Sequence, residues 1–123
     1  MTYKDDELKQ RTKKFALRII NLCRNVQGGG DVTRTITRQV LRSGTSIGAN
    51  YRAVCRARSR AEFIAKLGVV VEEADETVFW LELMCESNLV KHTRLQALQE
   101  EANELLAIFA ASQHTAKKGN KIA

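Results

Sequence analysis

Proline is absent from this chain of 123 residues. Helix interiors exclude proline because it removes a hydrogen bond and clashes with the preceding turn, so its absence points to an all-α fold. Cysteine is sparse. Cys23, Cys55 and Cys85 stand far apart, odd in number and without a C-x-x-C spacing. That pattern argues against a zinc site or a disulfide framework and fits a reducing cytoplasm. No apolar run reaches the about 18 residues of a membrane span, and no signal-peptide pattern opens the chain. A soluble cytoplasmic protein with no membrane partner is therefore expected. Histidine occurs only as His92 and His114. No Ser-His-Asp, Cys-His, metal-ligand or E-x-x-H spacing stands out, so neither catalysis, a metal nor a cofactor is expected.

What is present is ordinary in amount and uneven in placement. Hydrophobic residues make up 44% and charged residues 28%, which suits one soluble domain with a single core. The net charge is +6, but residues 33–60 carry seven arginines and no acid, whereas residues 61–104 carry ten acids against three bases. Such a division gives one face a field that a well-mixed surface would lack, and positive charge favours acidic partners, nucleic acid first.

Apolar periodicity predicts four helices. The first runs from Asp5 to Val26, with Phe15, Ile19, Leu22 and Val26 on one face and early acids at its positive end. Gly28, Gly29 and Gly30 end it, and Asp31 or Thr33 can cap the next. The second begins near Val32, follows Ile36, Val40, Ser43, Ile47, Tyr51 and Val54, and ends between Arg56 and Ser59. Ser59 with Glu62 forms a capping box for the third. There Phe63, Leu67, Val70, Ala74, Thr77, Leu81 and Met84 alternate in steps of four and three, the spacing of a bundle seam, and the helix stops near Asn88. Thr93 with Gln96 forms a second box before Leu95, Leu98, Ala102, Leu105 and Phe109. Short connections between amphipathic helices make an antiparallel up-and-down four-helix bundle over residues 1–114. Residues 115–123, with Lys117, Lys118 and Lys121, are expected to form a flexible basic tail.

GTSIGAN, residues 44–50, is the odd stretch. Gly44 and Gly48 each cost a helix about 1 kcal/mol relative to alanine, so something must offset them. Close approach of a neighbouring helix would do so. Ser46 and Asn50 share a face, and Glu73, Glu76 or Thr77 are candidate partners for a small internal polar network. The rival reading, a phosphate-cradling loop, fits neither G-x-x-x-x-G-K-[ST] nor G-x-G-x-x-G.

QVLRSGTSIGANYR (39–52), RSRAEFI (58–64) and EADETVFWL (73–81) resemble segments of the bacterial four helix bundle protein family, and the similarity spans roughly residues 8–110. The family usually has Glu after N-Y-R where this chain has Ala53, so any polar contact made there is not carried over. Its members include proteins encoded in intervening sequences of 23S ribosomal RNA genes. They also include the accessory variability determinant of diversity-generating retroelements, a basic protein that works with a reverse transcriptase and binds nucleic acid. The resemblance implies a homopentamer, a barrel of five bundles, with RNA or DNA and a reverse transcriptase or other protein as partners.

Two surfaces follow from the residues themselves. On the third helix Phe79 and Leu83 lie nearly opposite the seam, beside Ala61, Ala65 and Gly68, which marks a self-association patch; Trp80 flanks it as core or interface. Arg34, Arg38 and Arg42 form a stripe four residues apart, Arg52 and Arg56 extend it, and Arg58 and Arg60 cluster at the next turn. Arginine's planar fork suits phosphate, so these seven are the candidate nucleic-acid contacts of an accessory binding factor. In the alternative, a structural or protein-interaction oligomer, the same arginines pair with acids of helices three and four or with a neighbouring subunit.

Overall fold

A computed structural model describes residues 3–122, with side chains from 4 to 119. It contains four helices: α1 (Tyr3–Arg24), α2 (Asp31–Cys55), α3 (Arg60–Glu86) and α4 (His92–Ile122). Each helix packs against the next, and α1 closes more loosely on α4. That is the antiparallel up-and-down bundle expected from the periodicity.

The helix ends follow local chemistry, not always as the sequence suggests. α1 stops at Arg24, short of Val26, in a tight turn where the amide of Asn25 donates to the Leu22 carbonyl (3.1 Å). Gly28 (φ 89°) and Gly30 (φ 99°) then take a left-handed backbone that other residues rarely adopt. Gly30 is itself the N-cap of α2 and supplies no side-chain bond, so neither Asp31 nor Thr33 caps that helix. Asp31 sits in its first turn, where negative charge suits the dipole. Ser59 does cap α3, accepting from the Glu62 amide (3.1 Å). At the far end Asn88 (φ 62°) enters the left-handed region while Leu89 and Asn88 amides reach back to Met84 (3.1 Å) and Cys85 (3.0 Å) carbonyls. This Schellman closure ends α3 at Glu86. The second capping box does not form: α4 begins at His92, which puts Thr93 inside the first turn, and Gln96 instead faces Glu100 (3.4 Å).

The four predicted stripes meet in one core. Phe15, Ile19, Val40, Ile47, Leu67, Val70, Leu81, Met84, Leu95, Leu105 and Phe109 are all essentially inaccessible. Phe63, expected at the head of the α3 seam, is instead exposed, because the bundle opens into a cavity at that end. Thr12, which no apolar pattern could place inside, is buried; its hydroxyl donates to the Leu8 carbonyl (2.8 Å) and so carries no unmet bond into the core. The tail is helical through Ile122 rather than separate, with the Arg60 guanidinium donating to the Ala116 carbonyl (3.3 Å) and Gln113 to that of Ile64 (3.4 Å). The Lys121 side chain and Ala123 lie outside the described residues.

Gly44 and Gly48 serve the crossing of α2 with α1. A Cβ at Gly44 would sit 2.8 Å from Ile19 Cγ1, and one at Gly48 3.2 Å from Thr12 Oγ1. Ile19 is fully buried and branched at Cβ, so it has little room to yield. Gly44→Ala is expected to lower unfolding free energy by about 1 kcal/mol. Overpacking of about 1–3 kcal/mol outweighs the helix-propensity gain of about 1 kcal/mol. Urea denaturation of this variant beside Gly48→Ala, where contact is looser and the loss should be smaller, checks the order.

Candidate nucleic-acid interface

The α1–α2 crossing leaves a groove of about 400 Å³ on the outside of the bundle. Its floor is made of small residues, Thr12, Ala16, Thr45, Gly48 and Ala49, of which Gly48 and Thr12 meet at the helix crossing. Its rim carries Lys9 and Lys13 from α1 and Arg52 and Arg56 from α2, and its lining holds no acid. Lys13, Arg52 and Arg56 are exposed and point their charge at solvent. The two lysines were not among the candidates because α1 lies far from the arginine stretch in sequence. A four-residue step between basic residues, 9 to 13 on α1 and 52 to 56 on α2, was the available signal.

The other five arginines do not share that groove. Arg42 clasps α2 to α3: its guanidinium donates to Glu76 (3.0 Å) and Glu73 (3.4 Å), and its Nε to Gln39 (3.0 Å). The hydrogen bond to Glu76 raises the Arg42 pKa, while burial pushes that of Glu73 up despite the nearby guanidinium. Arg34 pairs with Asp31 (2.7 Å) and, with Arg38, borders a shallow groove of about 300 Å³ beside Cys23 and Leu41. Arg58 lies at the mouth of the end cavity under Phe63, and Arg60 is bonded to α4. The stripe Arg34, Arg38, Arg42 is thus aligned on α2 yet divided in environment.

The expected polar network between α2 and α3 does not form through Ser46 and Asn50. Ser46 donates to the Arg42 carbonyl and Asn50 to the Ser46 carbonyl (3.0 Å), while Thr77 bonds the Glu73 carbonyl (2.7 Å). Each polar side chain is satisfied one turn back on its own helix, so none is left to reach across. Among the described residues Arg42 alone makes a side-chain polar link between α2 and α3. On α3, Phe79 is 52% exposed and its ring meets Trp80 edge-on at 5.2 Å. Trp80 packs against the core and Leu83 is half-buried. Gly68 is not part of that open face, because a Cβ there would meet the Gln113 amide at 2.8 Å.

Burial pushes the Cys23 thiol up to about 11, which makes it inert at neutral pH. The Tyr51 hydroxyl, raised chiefly by burial, donates to Asp5 (3.3 Å). Among the described residues no group of three His, Cys, Asp or Glu converges as metal ligands would, and no helix is long and apolar enough to cross a membrane.

The family model described as 23S rRNA-intervening sequence protein matches residues 4–111. The chain is also similar to a crystal structure of a protein with unknown function from the S23 ribosomal protein family of Bacteroides thetaiotaomicron VPI-5482. The two share 35% identity and a TM-score of 0.77 over 85% of this chain and 96% of that one. No curated protein matches.

Across the loose α1–α4 seam, Arg11 makes a two-pronged pair with Glu101 (2.8 and 2.7 Å), which holds the Glu101 carboxyl below its ordinary value. A depressed carboxyl stabilises the fold above its unfolded pKa of about 4.3 and loses that contribution as pH falls through the folded value. Glu101→Gln should therefore cost about 1 kcal/mol at pH 7, a modest figure because Arg11 is partly solvated. The gap from the unaltered protein in urea midpoints should narrow as pH falls below about 4.

Proposed function

The chain belongs to the 23S rRNA-intervening sequence protein family, and from that premise we propose that it is a non-enzymatic, self-associating helix bundle that binds RNA or DNA as an accessory factor. The observation that carries this reading is the α1–α2 groove: four cations on two helices around a floor of small side chains, with no acid in its lining. Such a surface meets a phosphate backbone at several points, and arginine at Arg52 and Arg56 can grip phosphate with two parallel hydrogen bonds. Contacts of this kind position a protein on nucleic acid without reading its sequence. Self-association through Phe79, Leu83 and Trp80 would repeat the groove in each copy, so that modest single-subunit contacts combine. The resemblance favours a homopentamer and a reverse transcriptase or other protein as companion. The three free cysteines fit work in the cytoplasm.

The alternative, arginines serving protein contacts, is favoured at one position. Arg42 is already engaged with Glu73 and Glu76 and is poorly placed to take phosphate.

The test is a titration of purified protein with labelled structured RNA and duplex DNA of random sequence. Phosphate contacts from Lys13, Arg52 and Arg56 predict an affinity loss of about 40-fold between about 50 and 200 mM salt. Lys13→Glu with Arg52→Glu should weaken binding at every sequence and flatten the salt dependence by about two contacts. Arg42→Ala should leave affinity unchanged and lower stability by less than about 1 kcal/mol. Absence of binding at the lower salt would sink the proposal.

A further inference from the structure

We propose that the outer face of α3 around Phe79 docks head-to-tail into the groove between α1 and α4 around Leu17 of a second copy. This rests on the self-association reading above and names the mate of the Phe79 patch, which that reading leaves open.

The two surfaces are opposites. Along α3, Glu72, Asp75, Phe79, Glu82 and Glu86 recur in steps of three and four and so form one line on the helix. All five are exposed, and the four acids have no hydrogen-bonded or ion-pair partner among the described residues. The line is an apolar ring framed by uncommitted negative charge. On the other side of the bundle the loose α1–α4 seam leaves a groove of about 450 Å³. Leu17 stands 58% exposed at its edge, Leu22 and Leu98 form its floor, and Lys14, Arg18 and Arg94 surround it with no acid in the lining. None of these three cations makes a hydrogen bond or ion pair through its side chain among the described residues, although Arg18 lies close enough to Glu101 to favour its ionised form.

An exposed leucine over a leucine floor is an apolar socket, and its cationic rim matches the acidic frame of Phe79. The α1–α2 groove is basic too, but no large apolar side chain is exposed in it, so it offers Phe79 nothing to bury against. Complementary rims fix the register and speed encounter, while burial of Phe79 against Leu17 supplies affinity. Knob and socket are different surfaces of the same chain, so the contact is heterologous: each copy gives one and receives one, and the series closes into a ring or continues. The α1–α2 groove takes part in neither surface and stays available in each copy.

Heterologous pairing makes a distinctive prediction for mixtures, read by light scattering coupled to size exclusion. Phe79→Asp removes the knob and Leu17→Asp the socket; both sites are exposed, and circular dichroism confirms that the variants fold. Each variant alone should be monomeric. Mixed in equal amounts they should form one-to-one dimers and nothing larger, because only one intact knob meets one intact socket. Arg18→Glu is a second socket variant that leaves the apolar contacts in place, and it should also dissociate the assembly. If the unaltered protein is monomeric, self-association itself fails. If it assembles, and Phe79→Asp dissociates it while Leu17→Asp and Arg18→Glu do not, the socket assignment is wrong and self-association stands. A mixture that remains monomeric would overturn the head-to-tail pairing.

Discussion

The close crossing of α1 and α2 at Gly44 and Gly48 is the constraint on which the rest of the surface depends. Ile19 and Thr12 fill the space that side chains at those glycines would occupy. A helix accepts two glycines one turn apart only where backbone approach returns more than their conformational cost. Once the helices are that near, the residues lining their junction must be small, and the basic side chains just outside it are brought to the two rims of one groove. Packing and charge at this site have a single cause.

The bundle's other helix contacts are less uniform. α2 is joined to α3 by apolar packing plus the Arg42 clasp, whereas α1 meets α4 loosely and is held there by the Arg11–Glu101 pair. A tight crossing on one side of α1 and an open seam on the other place a basic groove of different character on each side of that helix. One has a floor of small residues and suits phosphate; the other exposes a leucine and suits an apolar partner. The acids concentrate on α3, diagonally across the bundle from α1. The division of charge along the sequence thus becomes a division between faces in space.

Much of this was legible in the order of residues. The apolar periods of α3 and α4, the Ser59 cap of α3 and the break at Gly28–Gly30 all depend on neighbours within a turn or two, and local spacing is what a sequence displays. Phe79 stands out because the seam from Leu67 to Met84 fixes the opposite side of the same helix. Ends that depend on which residue captures a backbone amide were less legible. Gly30 caps α2 with no side chain, and Thr93 lies two places too late to cap α4.

Residue order alone determined four helices, their buried stripes, the need for a close contact at GTSIGAN and the excess of positive charge before residue 61. Tertiary structure decided which helix answers that contact and how the seven arginines divide. It also brought Lys9 and Lys13 to the side of Arg52 and Arg56, and Lys14, Leu17 and Arg18 to that of Arg94. The physical reason is range. Helical phase propagates along a chain and can be read from spacing, whereas the meeting of two helices depends on shapes and charges from segments far apart in sequence.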